Sequence, residues 1–311
     1  MLLNEATRHL AKDEMSGNII QGIYRVTEVH WHQHPDLGRC RLLELHDSSG
    51  SIEALLPGDE CRPWLNTGNP YSIRMMPLVR NPRLAAQVVS ISEIPESSFN
   101  PIALLPTCWT PCPQVLPRLL ALYHELELES MACFWEAVFR NEFWVKEFMR
   151  APASRSSHHN APGGLLAHSV TVAESVSALL ATHNSLSKAE RDATVTVALL
   201  HDATKVIWSP GNRNRWAVPF LFREHERLLP YFLSDPLAEL RDIDEISYNT
   251  LLRILDDYTR PRERSNSPLS SLIRCADHLD SHLDARARMR NATGNTRNWI
   301  DIGGRMHWSS T

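Results

Sequence analysis

The sequence has no long apolar run. Nowhere in its 311 residues does it approach the ~20 consecutive apolar residues of a membrane-spanning helix. The opening segment, MLLNEATRHLAKDEM, mixes charges among its apolar residues and so lacks the apolar stretch of a secretory signal. A cytoplasmic protein with no membrane partner is expected. Cysteine is sparse: six, widely scattered, do not make a disulfide framework. The closest pair, Cys108 and Cys112 in TCWTPCP, has no second pair to complete a zinc site, so two reduced thiols in a proline-rich loop are expected. An excess of positive charge is also missing. Lysine and arginine number 32 against 36 acidic residues, net −4, which argues against a basic coat for tight duplex binding. A local groove is still allowed, because arginines cluster at Arg80 and Arg83, Arg213 and Arg215, Arg260 to Arg264, and Arg286 to Arg290; each cluster alone reads as a solvated face. No internal repeat is visible.

What is present changes along the chain. After an N-terminal segment over residues 1–17, residues 18–95 have the texture of strands. NIIQGIYRVTEVHW and RCRLLELHDSSGSIEALLPG are followed by YSIRMMPLV and LAAQVVSISEI, with turn residues between them. Four or five short strands in so small a segment predict a small β-barrel, an OB-fold being the commonest solution, with a β-sandwich as the alternative. Prolines recur from Pro95 to Pro117, so residues 96–117 read as a stiff linker. Residues 118–290 then read as all-α, with helices near 165–182, 188–207, 219–232, 246–258 and 268–290. The tail, 291–311, carries Gly294, Gly303 and Gly304 and reads as loosely ordered. The fold class is therefore multidomain α and β, a small barrel followed by an all-α domain.

The chemistry lies in the helices. Val172, Val176 and Leu179 recur at helical spacing, and four residues before Val172 stands His168, which therefore faces the core. The segment TVTVALLHDATKVIW is apolar nearly all round before His201, Asp202 and Lys205. A buried carboxylate needs a cation, so Asp202 needs one nearby. Adjacent side chains lie about 100° apart on a helix, close enough for His201 and Asp202 to reach one ion. In SPLSSLIRCADHLDSHLDARA the inward stripe Leu269, Leu272, Ile273 and Ala276 brings Asp277 inward as well. Three helices thus each aim a His or Asp at the interior. Two imidazoles with two carboxylates suit manganese, iron, magnesium, zinc or a similar divalent ion.

The order His, then His-Asp, then Asp resembles the HD-domain phosphohydrolase superfamily. The stretches FMRAPASRSSHHNAPGGLLAHSVTVA, VALLHDATKV and LIRCADHLDSHLDA are similar to the YhaM-type bacterial 3′–5′ exoribonucleases, which carry an OB-fold ahead of the HD domain. The resemblance covers most of the chain, and its motifs are specific from Phe148 to Ala173 and from Leu199 to Lys205. It implies that His168, His201, Asp202 and Asp277 ligate metal, with His225 matching a further histidine position. Asp202 and Lys205 would be the catalytic residues, Lys205 as phosphate contact, and His158 and His159, beside Arg155, would meet substrate at the pocket mouth. It also implies RNA- or DNA-binding on the barrel, for which Tyr24, Trp31, Trp64, Arg74 and Arg80 are candidates, any of which the core alternatively claims.

The chain departs from the family in two places. HDATK stands where the family reads His-Asp-Ile-Gly-Lys, and Asp256 and Asp257 stand where relatives carry a His-His pair. Those aspartates either ligate through oxygen or simply solvate a helix end, in which case one ion is held or catalysis is weakened. The expected function is a metal-dependent nuclease, a hydrolase degrading single-stranded RNA or DNA. The alternatives are an HD phosphohydrolase on nucleotides or cyclic dinucleotides, and a degenerate nucleic-acid-binding scaffold, relatives of conjugative-element relaxases included. The aromatic run FWEAVFRNEFW offers a homo-oligomer interface, against burial on the helices as the simpler expectation.

Overall fold

The computed structural model describes residues 19–58, 64–78, 85–95, 98–154, 159–208, 225–260, 267–292, 299–302 and 305–308. The chain forms two compact units, Met1–Trp109 and Thr110–Thr311. Among the described residues no helix is long and apolar enough to cross a membrane.

In the first unit five strands form one mixed sheet: β1 (Ile20–His34), β2 (Gly38–Asp47), β3 (Gly50–Pro57), β4 (Pro70–Leu78) and β5 (Ala85–Glu93). The predicted strand segments and the observed strands coincide. β1 pairs with both β2 and β4, and a parallel β3–β5 pairing joins the remaining edges, so the sheet closes in the order β1-β2-β3-β5-β4. A two-sheet sandwich is thereby excluded. A register shift between Val26 and Glu28 interrupts the β1–β2 pairing, next to the stretch Ile20–Arg25 that pairs with β4, as bulges do where strands bend. Alternating side chains fill the interior, among them Val26, Leu43, Leu45, Ile73 and Met75.

The proline-rich segment is not a bare tether, because its apolar residues find cores. Ile102, Leu104, Leu105 and Trp109 are buried. Ala103 accepts from the Ser48 amide at 2.8 Å, and the buried Arg25 donates through Nε to the Leu104 carbonyl at 3.2 Å. The division between units therefore falls after Trp109, inside the expected linker.

The second unit contains α1 (Leu116–Glu125), α2 (Glu129–Phe139), α3 (Glu142–Arg150), α4 (Gly164–Leu180), α5 (Lys188–Leu200), α6 (Leu229–Phe232), α7 (Ser234–Ile243), α8 (Glu245–Thr259) and α9 (Pro268–Ala292). α4 and α5 are apolar on most faces and are buried on most faces. α5 starts at a capping box of Ser187 and Glu190, which satisfies amides the first turn leaves open. The aromatic run packs inward: Phe134, Trp135, Phe139 and Trp144 are buried, while Phe143 stays 70 % exposed. The expected helix at 188–207 is shorter than its apolar pattern suggests, ending at Leu200 and giving way to a 3-10 turn over Ala203–Trp208. In the tail the described residues form β6 (Trp299–Ile302) and β7 (Arg305–Trp308), paired antiparallel, while Gly294, Gly303 and Gly304 lie outside the described residues.

Candidate metal centre

α4 brings His168 to the interior one turn after its start, where Leu165, Leu166, Ser169 and Val170 around it are buried as well. α5 ends so that His201 is its C-cap and Asp202 the next residue. α9 crosses both and supplies Asp277. His168, His201 and Asp202 are 0 %, 1 % and 4 % exposed, whereas the Asp277 side chain is 26 % exposed and marks the side open to solvent. The His168 Nε2 lies 3.2 Å from Asp277 Oδ1 and 3.7 Å from Asp202 Oδ2. The His201 Nε2 lies 3.4 Å from Asp202 Oδ2 and 3.9 Å from Asp277 Oδ1. Four groups expected from spacing on three separate segments thus meet at one point.

The outer ring nitrogens decide what the inner ones can do. His201 Nδ1 lies 2.7 Å from the Ala198 carbonyl, so it carries the proton in a neutral ring and Nε2 keeps its lone pair. His168 Nδ1 lies 2.6 Å from Asp280 Oδ2, with the same consequence. The buried His201 Nε2 finds no aligned hydrogen-bond partner among the described residues. In the neutral ring, a buried nitrogen lone pair facing two carboxylates is a donor set for a cation, which would take the place of the proton that the carboxylates otherwise favour. The ligand atoms of His168, His201 and Asp202 lie within 4.8 Å of one another and are able to hold a metal ion; those of His159, His168 and Asp280 form a second such set.

Charge in the cluster is strongly coupled. Burial works against imidazolium at His168, but Asp277, Asp280 and Asp202 outweigh it and raise its pKa to about 9. His201 is also raised, burial being overcome by Asp202 and Asp277. Burial opposes charge on Asp277 too, yet the imidazoles hold its carboxyl below the usual range. The Lys205 ammonium pairs with Asp202 Oδ2, the oxygen nearest both inner imidazole nitrogens.

Two features escaped the spacing argument. Asp280 touches two imidazoles through one oxygen, since its Oδ2 also lies 2.8 Å from His159 Nε2. The available signal was the spacing of Asp277, Asp280 and Asp284, which puts three carboxylates on one face of α9. Tyr258 is the residue of α8 that faces the centre, its buried ring standing edge-on to His201 with centroids 6.2 Å apart. Asp256 does not: it is exposed and pairs with Arg260. Asp257 is half-buried. The solvated helix-end reading holds for Asp256.

The glycine turn has a steric reason. Gly163 adopts φ +79°, and a Cβ on Gly164 would fall 2.1 Å from the His159 carbonyl oxygen. His159 itself sits at φ +45°, so the turn lets its backbone ride over the start of α4. Of its neighbours, Arg155 and His158 lie outside the described residues, as does Arg80, and for His225 only the backbone is described, opening a 3-10 turn at His225–Leu228.

The barrel candidates divide. Tyr24 belongs to the core at 6 % exposure, its hydroxyl pushed up to about 12 by burial and then by Asp47. Trp64 packs partly buried against the same core, its ring tilted against that of Tyr71 with centroids 5.8 Å apart. Arg74 is exposed on β4. Trp31 is 52 % exposed, with the Arg39 and Arg41 guanidinium groups 4.3 Å and 4.9 Å from its ring centroid. Neither arginine was singled out by the sequence; both lie across from Trp31 in the β1–β2 pairing region. No family model, curated protein or solved structure matches the chain.

Proposed function

We propose that the chain is a metal-dependent phosphodiesterase of the HD-domain kind that degrades single-stranded nucleic acid from the 3′ end. The observation that carries this reading is the convergence of His168 and His201 Nε2 on the Asp202 and Asp277 carboxylates in a buried cluster. A divalent cation held by these four side chains supplies an acidic centre for a water molecule and for a phosphoryl oxygen. The protein's own contributions are distinct. Asp280 and the Ala198 carbonyl orient the two rings. Lys205, beside Asp202, brings a fixed positive charge for non-bridging phosphate oxygens. The Asp277 side, the most exposed of the four, gives a phosphodiester its approach.

The closed five-stranded barrel supports the nucleic-acid half of the proposal, since OB-folds of that architecture bind oligonucleotides. Trp31 with two guanidinium groups near its ring offers stacking and charge together. With a net charge of −4 the binding is expected to be modest and salt-sensitive.

The test is metal analysis of protein purified without chelator, paired with hydrolysis of labelled single-stranded RNA and DNA in manganese. Bound metal with cleavage that His201→Ala abolishes is the expected result, and the product ladder reads direction. Metal without cleavage of either strand points to a smaller phosphoester. The exposed position of Asp256, where relatives have histidine, favours one second reading, a binding scaffold. That reading gains if strands bind but are not cut with manganese supplied.

A further inference from the structure

We propose that Asp280 and His159 clamp the ring of His168, and that the two overlapping ligand sets are therefore one metal centre, not two. The inference rests on the metal reading of the cluster, not on the identity of the substrate. A neutral imidazole has one lone pair to give. His168 is shared by both sets, through Nε2 toward Asp202 and Asp277 and through Nδ1 toward Asp280. An ion ligated by Nδ1 would need the lone pair there and the proton on Nε2, facing the other ion. For a neutral ring the two occupancies exclude each other.

The geometry decides which is used. His168 Nε2 looks into the more deeply buried set, where His201 has its own Nδ1 committed to the Ala198 carbonyl. The 2.6 Å contact of His168 Nδ1 with Asp280 fits a carboxylate accepting an N–H. His159 then bears on the far side of that carboxylate: its Nε2 meets the same oxygen at 2.8 Å. The histidine is held there by its backbone. Its amide donates to Asp284 Oδ2 at 2.9 Å, its carbonyl accepts from the Ala153 amide at 3.0 Å, and Gly164 leaves the space its carbonyl occupies. Asp280 and His159 are thus positioning residues. They act on the ion only through His168.

The experiment is titration of the chelator-stripped full chain with Co(II), followed by calorimetry and by visible absorption. It is run in a His278→Ala, His282→Ala background, because those exposed rings approach to 3.1 Å on α9 and would add an equivalent of their own. The expected result is one tight equivalent. Asp280→Asn should keep that stoichiometry, weaken binding by about 10–100-fold and move the Co(II) absorption band. His159→Gln should weaken binding as well, but add nothing further on top of Asp280→Asn. Two equivalents, one of them lost in His159→Gln, would overturn the single centre. Unchanged affinity and spectrum in Asp280→Asn would overturn the clamp. If Asp280→Asn melts early, His159→Gln carries the same readout from outside the helix. A parent that takes up no Co(II) removes the metal reading itself, whereas failure to cut nucleic acid leaves the clamp untouched.

Discussion

Asp244 illustrates how much one side chain can do away from the centre. It caps α8, accepting from the Ile246 and Ser247 amides at 3.1 Å each and from the Ser247 and Ser130 hydroxyls at 2.6 and 2.8 Å. These bonds, that of the Ser247 hydroxyl first, hold its carboxyl below the usual carboxylate range. A depressed folded-state pKa contributes stability that is complete above the unfolded value and is lost as pH falls through the folded one. Asp244→Ala should therefore cost about 1 kcal/mol at neutral pH, and the gap to wild type should begin to narrow as pH falls below about 4, read by urea unfolding at pH 7 and pH 3. Gly164→Ala tests the turn: the added Cβ meets the His159 carbonyl, so about 1–3 kcal/mol of overpacking strain is expected, with metal affinity falling alongside. An unaltered melting curve and metal isotherm would refute that. The four central groups were legible because each continues an apolar helical stripe. The Asp280–His168 contact was not, because it joins residues 112 apart in the chain and no local pattern encodes which ring nitrogen holds the proton.

Elements are decided by where backbone groups find partners. The apolar pattern of α5 runs on past Leu200, yet the helix stops there. The Ala198 carbonyl is taken by the His201 ring, Lys205 N–H turns back to the Asp202 carbonyl at 2.9 Å, and Trp144 Nε1 donates to the Ala203 carbonyl at 3.3 Å. Two local contacts and one tertiary one thus accompany the tightening of the chain into a 3-10 turn. Strand boundaries were legible because turn residues and alternation are local; this break also involves Trp144, 59 residues away. The α2–α5 contact makes a sharper test. Trp135 Nε1 donates to Thr196 Oγ1 at 2.7 Å with both residues buried. Thr196→Val keeps the shape and orphans the indole N–H, so urea unfolding should show a loss of about 1–3 kcal/mol. Replacing both partners, Thr196→Val with Trp135→Phe, should recover part of it.

At the scale of the whole molecule the chain is two units, each with its own core. An ion that binds only the folded helical unit stabilises that unit alone, in proportion to the logarithm of its free concentration over Kd. Calorimetry of the full chain should resolve two transitions, of which manganese raises one; in His201→Ala neither should move. A uniform rise of both, or a rise that survives the substitution, would contradict this. The division after Trp109 was not legible, because proline content marks stiffness and does not say which core the neighbouring leucines join. One feature of α9 reaches further. Asp277, Asp280 and Asp284 lie within an arc of roughly 60° at about 100° per residue, and in the proposed centre they would serve as ligand, clamp and backbone anchor in turn, through contacts to His168, His168 with His159, and the His159 amide. The centre is therefore indexed by helical phase. A one-residue insertion between Asp277 and Asp284 would change the chain length by little, yet swing whatever follows it by a quarter turn or more. It would strand the ion on one side of the splice and its support on the other, so this helix tolerates many changes of letter and few changes of count.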